Sequence, residues 1–155
     1  MLYFAYGSNM HPDVMRKHAP GAEPVGPAML ADHRLVITGD GYASVEPGRN
    51  DQVHGVLWRL TARDRVTLDA WENVAGGLYR AATLPVRCGG QRRLALVYLA
   101  RPGRAGQPRA GYMEVVIAAA LEWRLPPAYI VFLRHWLPKR PGSADLRKVR
   151  VFRWT

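Results

Sequence analysis

The 155-residue sequence holds a single cysteine, Cys88, so no internal disulfide can form. It stands in "RCGG" without a CxxC partner or any neighbour that would mark a nucleophile or a metal ligand, and it reads as an incidental thiol beside a turn. No apolar run approaches the roughly 18 to 20 residues needed to span a bilayer. The first residues also lack the basic region and small-residue cleavage site of a secretion signal. A soluble, cytoplasmic protein is therefore expected. The five histidines, at 11, 18, 33, 54 and 135, show no HExxH or other close ligand spacing. That argues against a zinc enzyme, and neither a metal nor another cofactor is expected. A Walker loop, a GxGxxG fingerprint and a GxSxG elbow are all missing, so nucleotide binding and a serine-hydrolase triad have no support.

Acidic residues are scarce as well, 12 against 22 basic, for a net charge of +10. The imbalance is C-terminal: residues 1–100 carry 11 basic and 9 acidic side chains, whereas residues 101–155 carry 11 and 3. Such a gradient can be the footprint of nucleic acid. However, 19 of the 22 basic residues are arginine, amid many Ala, Gly and Pro, which is the pattern of a general compositional bias. A solvated basic surface is the expected reading, and binding of nucleic acid through the C-terminal half ranks last.

What is present suits one self-sufficient core: 48% of the residues are hydrophobic and no linker divides the chain, so a single domain over residues 1–155 is expected. Leu2 to Tyr6 reads as a buried strand, followed by a Gly-Ser-Asn turn and a short helix that Pro12 and Asp13 open and Pro20-Gly21 stops. "VGPAMLADHRLVITG", "YASVEPG" and "DQVHGVLWRL" read as three further strands. Thr61 opens a helix with a Thr-x-x-Asp capping box, ended by Gly76-Gly77. Gly89-Gly90-Gln91 joins two strands in a hairpin, and two helices separated by Leu125-Pro126 close the pattern. Strands and helices do not alternate regularly, so an α+β domain with a mixed, curled sheet fits better than a doubly wound one.

Two places carry the possibility of chemistry. Gly7-Ser8-Asn9 runs from an apolar strand straight into a turn before a helix, which suits either a helix cap or a cluster of backbone N–H groups that holds a carboxylate or an oxyanion. Glu72 places a carboxylate at the negative end of a helix, an arrangement that costs about 0.3–1 kcal/mol, with no basic residue between Arg65 and Arg80. It is either an exposed helix-end residue or a carboxylate whose apolar surroundings, Trp71 and Val74, raise its pKa toward that of a general base.

In chain order, "YFAYGSNM", "GVLWRL", "LDAWENVAGGLYR", "LALVYLA" and "GYMEVVIAAALEWRLPPAYIVFL" resemble the γ-glutamylcyclotransferase family, including its AIG2-like relatives, over residues 1 to about 136. The resemblance implies a small α+β fold with a curled, barrel-like mixed sheet and flanking helices around a pocket. It also implies an enzyme of intramolecular acyl-transfer, C–N lyase type, which cyclises a γ-glutamyl amide to 5-oxoproline and frees an amine or amino acid. Carried over by motif, Glu72 would be the general acid and base. Tyr6, Gly7, Ser8 and Asn9 would grip the γ-glutamyl group through backbone amides. Tyr79, Tyr98 and Tyr112 would stand at pocket positions, the other reading of each being a half-buried aromatic whose hydroxyl is satisfied locally. Asn73 departs from the pattern, since relatives commonly have Gly after the glutamate. The basic tail from about residue 138 falls beyond the resemblance. The partner implied is a small γ-glutamyl molecule, with a monomer or homodimer equally compatible. The rival reading is a binding module of the same fold without turnover.

Overall fold

The computed structural model describes residues 1–138, so all of the basic tail past Pro138 lies outside the described residues. Five strands, β1 (Leu2–Ala5), β2 (Glu23–Ile37), β3 (Ala43–Arg59), β4 (Tyr79–Cys88) and β5 (Gln91–Ala100), close into a barrel in the order β1-β3-β2-β4-β5. Every pairing is antiparallel except that of β1 with β5, where Tyr3 faces Leu96. Around the barrel lie α1 (Pro12–His18), α2 (Ala62–Trp71), α3 (Tyr112–Glu122) and α4 (Pro127–Arg134), and a 3₁₀ turn at Ser8–Met10 links β1 to α1. The expected α+β class with a mixed, barrel-like sheet is what the chain adopts. No helix of the described residues is long and apolar enough to cross a membrane.

Local chemistry explains most element boundaries. The β4–β5 hairpin turns on Gly89 and Gly90, both left-handed at φ 57° and 77°, the two-residue geometry that matches strand twist. At the start of α2 the expected capping box forms, with the Thr61 hydroxyl accepting from the Asp64 amide at 3.1 Å and Asp64 accepting from the Thr61 amide at 2.9 Å. One expectation is corrected: "YASVEPG" and "DQVHGVLWRL" are not two strands but the single β3. Asn50 and its neighbour across the ladder, Asp32, both adopt left-handed backbone, at φ 63° and 56°, and the Asn50 amide donates to Asp32 Oδ1 at 3.1 Å. Opposed irregularities bend β2 and β3 together: the register steps from Ala31–Gln52 to His33–Pro47, so residues 48–51 stand out of the ladder and pairing resumes on either side.

β3 is buried on both faces where it crosses the core. Its outer face packs on the C-terminal helices, His54 against Tyr129 with ring centroids 5.0 Å apart and Trp58 edge-on to Trp123 at 5.7 Å. On β1, Gly55 of the neighbouring strand leaves the space that the Ala5 carbonyl and the Phe4 ring fill, and a Cβ there would collide with both. Phe4, Met10, Leu57 and Leu68 are fully buried, each contributing on the order of 1.5–3 kcal/mol by leaving water. Met10 also fixes the 3₁₀ turn, because its carbonyl accepts from Trp123 Nε1 at 2.8 Å. The chain after β1 is thus held from both sides.

Candidate active site

The C-terminal ends of β1, α2 and β5 meet the N-terminal ends of β4 and α3 around a cavity of about 440 Å³. All eight residues singled out in the sequence line it: Tyr6, Gly7, Ser8, Asn9, Glu72, Tyr79, Tyr98 and Tyr112. Tyr3 and Tyr42 line it too, and sequence reasoning missed both. Tyr3 looks like any buried strand aromatic, and nothing near Tyr42 marks it. Tyr3 packs edge-on to Tyr98 with ring centroids 5.6 Å apart.

Gly7 has φ −112°, so left-handed backbone is not why a glycine stands there. Close approach is the reason: a Cβ at Gly7 would stand 2.6 Å from the Tyr112 hydroxyl oxygen. The helix-cap alternative for this turn also fails. Neither Ser8 nor Asn9 caps a helix; α1 is capped by the His11 ring, whose Nδ1 accepts from the Asp13 amide at 3.2 Å. Asn9 is turned into the cavity wall instead, its Nδ2 donating to the Tyr3 hydroxyl at 3.0 Å and to Glu72 Oε1 at 3.1 Å.

Glu72 is the residue that ends α2, its amide donating to the Leu68 carbonyl at 2.8 Å. The preceding Trp71 stacks on His18 with centroids 3.7 Å apart, pinning this end of α2 to α1. Asn73 takes left-handed backbone at φ 48°, and its Oδ1 accepts from the Gly76 amide at 3.1 Å. Asn tolerates that conformation better than most residues, so the turn after Glu72 takes a glycine-like shape without a glycine. Burial pushes the Glu72 carboxyl up to about 7, opposed by the hydrogen bond from Asn9. A carboxyl balanced there both accepts and returns a proton at neutral pH.

The tyrosine hydroxyls are tied into the wall. Tyr6 donates to the Tyr98 carbonyl, Tyr79 to the Ala43 carbonyl at 2.9 Å, and Tyr98 to Asp69 Oδ1 at 2.6 Å, which also accepts from Arg65 Nε at 2.8 Å. Tyr112 accepts from the Ala43 amide at 3.2 Å. Burial raises the Tyr79 and Tyr98 hydroxyls well above the ordinary tyrosine value and pushes Tyr112 up to about 12. They are neutral near pH 7, and their rings shape a rigid, mostly apolar wall. Among the described residues lining the cavity there is one carboxylate, Glu72, and no histidine or cysteine. Such a site can move a proton but offers no activated protein nucleophile.

Comparison with known proteins agrees in sequence and in shape. A family model described as the AIG2-like family matches residues 52–133. The γ-glutamylcyclotransferase of Mus musculus is 29% identical over 139 residues, spanning 83% of this chain and 74% of that one. Its Homo sapiens counterpart is 27% identical over the same shares. Among solved structures, one titled γ-glutamyl cyclotransferase superposes with a TM-score of 0.84 at 26% identity, covering 92% of each chain.

Proposed function

The chain belongs to the AIG2-like family, and on that premise we propose that it cyclises γ-glutamyl amides to 5-oxoproline, with Glu72 as the general acid and base. The observation that carries this reading is Glu72 itself: a carboxyl raised to about 7, facing the cavity and held by Asn9 at 3.1 Å, with no histidine or cysteine among the described residues that line it. A γ-glutamyl amide needs none, because its own α-amino group reaches its γ-carbonyl carbon and closes a five-membered lactam. The new C–N bond forms as Glu72 takes a proton from the attacking nitrogen. The bond to the outgoing amine then breaks as Glu72 returns that proton to the leaving nitrogen.

The wall residues would do the rest. The amides of Gly7, Ser8 and Asn9 lie at the start of the 3₁₀ turn, where no earlier turn supplies acceptors, and would hold the substrate and the negative charge that develops on the γ-carbonyl oxygen. Tyr6, Tyr79, Tyr98 and Tyr112 would confine the flexible glutamyl chain to its ring-closing conformer, and intramolecular attack gains greatly from fixed geometry. The test is 5-oxoproline release from a panel of γ-glutamyl compounds, with Glu72→Gln beside the wild type. Release is expected from wild type and should fall about 10²–10⁴-fold in the variant, the usual loss of a general base. Release that survives Glu72→Gln would remove the proposed role, and binding without release from any compound would favour a binding module.

A further inference from the structure

A second cavity, of about 880 Å³, adjoins the first and shares Tyr42, Asn73, Leu78 and Tyr79 with it. Its origin lies in the barrel itself. β2 and β4 pair only at Ala28 with Cys88 and Met29 with Arg87, then part. The loop that follows β5 spans the gap, bridging Thr38 through Ala105, with the Gly106 amide on the Ile37 carbonyl at 2.9 Å. A molecule whose glutamyl half fills the tyrosine-lined cavity would extend its other half past Leu78 and Tyr79 into this wedge.

The wedge is electropositive. Arg80, Arg101 and Arg104 line it, and none of the three forms an ion pair among the described residues, whose ion pairs use Arg16, Arg34 and Arg65. Of its two carboxylates, Glu46 is already met by Arg34 at 2.6 Å, which leaves Asp40 alone. Arg109 adds a fourth cation at the junction, its guanidinium 5.0 Å from the centre of the Tyr42 ring. Arg101 is seated: its guanidinium lies over Gly77, where a Cβ would collide with it, and its amide donates to the Leu78 carbonyl at 3.1 Å. Planar guanidinium forks recognise carboxylates in pairs of hydrogen bonds, and one carboxylate would leave most of this charge unanswered.

Resting on the cyclotransferase reading, we propose that the wedge receives the leaving half of the substrate and selects an amine that carries two or more carboxylates, such as an acidic amino acid. Arg80, Arg101 and Arg104 are then residues that set specificity for a reaction performed at Glu72. The experiment compares kcat/KM for 5-oxoproline release from γ-glutamylglutamate, γ-glutamylalanine and γ-glutamyl-1,4-diaminobutane. The expected order is the dicarboxylate first, alanine second and the cationic amine last. In the double variant Arg101→Gln, Arg104→Gln the preference for glutamate over alanine should shrink about three- to tenfold, through KM, since exposed charge pairs are worth up to about fivefold each. High salt should shrink it in the wild type as well, which gives a reading free of any change in the fold. Lys at both positions should restore part of the preference. Release from all three compounds with no ranking by charge, or a ranking that neither salt nor the double variant alters, would overturn the inference and leave the cyclotransferase reading standing. Release from none of them would overturn both.

Discussion

The two ends of α2 each carry a carboxylate withdrawn from water, Asp64 fully and Glu72 in part, and the fold treats them in opposite ways. At Asp64 burial pushes the carboxyl up, but donors more than offset it: the Thr61 hydroxyl at 2.7 Å, the Thr61 amide at 2.9 Å and the Gly21 amide at 3.0 Å, with Arg63 close by, hold it below the usual carboxylate range. At Glu72 burial also pushes up, and the one donor among the described residues, Asn9, does not suffice, so the carboxyl settles at about 7. Burial is common to both. The number of donors and the helix end decide the outcome, since the positive end of the macrodipole favours Asp64 and the negative end disfavours an ionised Glu72. One helix therefore carries a carboxylate held charged and another held near neutrality, and the second is the one that lines the cavity.

Stability breaks the comparison most plainly. Asp64→Ala removes the capping-box acceptor and orphans the Thr61 and Gly21 amides, and should cost about 2–3 kcal/mol in urea unfolding at neutral pH. Because the folded-state pKa of Asp64 lies below its ordinary 3.8, its contribution is complete above that value. It is lost as pH falls through the lowered folded-state pKa, so wild type and variant should converge in strong acid. Equal stabilities at neutral pH would show that the cluster around Asp64 holds nothing together.

Glu72→Gln should act in the opposite direction and somewhat less. A carboxyl raised from 4.5 to about 7 binds its proton more tightly when folded, so the wild type loses stability as pH rises from about 4.5 to about 7. The full shift corresponds to about 3 kcal/mol; Glu72 keeps some contact with solvent through the cavity, which reduces this, and a gain of about 1–2 kcal/mol for the variant is expected above pH 7, vanishing below pH 4.5. An inactive variant that is also more stable is what a site strained for function produces. A variant less stable than wild type at pH 8 would mean that Glu72 is ionised at little cost, as Asp64 is.

The contrast between the two carboxylates was half legible in the sequence. The capping box announces itself because its partners lie three residues apart, and Gly89-Gly90 announces the hairpin for the same reason. Glu72 was legible as a carboxylate at the wrong end of a helix, which is again a local conflict. What escaped was long-range. Gly7 looks like a turn glycine, whereas its need arises from Tyr112, more than a hundred residues on. Tyr3 and Tyr42 join the cavity only through the register of β1 on β3 and the closure of the barrel, and Asp69 matters to the wall only because Tyr98 donates to it across 29 positions. The continuity of β3 through Pro47 was hidden too, since it depends on Asp32 of the facing strand. Short-range chemistry can be read along a chain; contacts created by closing a barrel cannot.

Asn9 sharpens the comparison with the smallest effect, because among the described residues it is the only donor that keeps Glu72 from rising further. If Glu72 is the base, activity must climb with pH as its carboxyl ionises, giving kcat/KM an acidic limb with a midpoint near 7. Asn9→Ala removes the 3.1 Å hydrogen bond that favours the charged form and should move that limb to higher pH, along with a modest loss of kcat/KM at its plateau. A purely structural role for Asn9, through its other bond to Tyr3, would lower the plateau and leave the midpoint where it was. The displacement of the limb, measured from pH 5 to about 9, therefore separates a residue that tunes the base from one that only holds the turn.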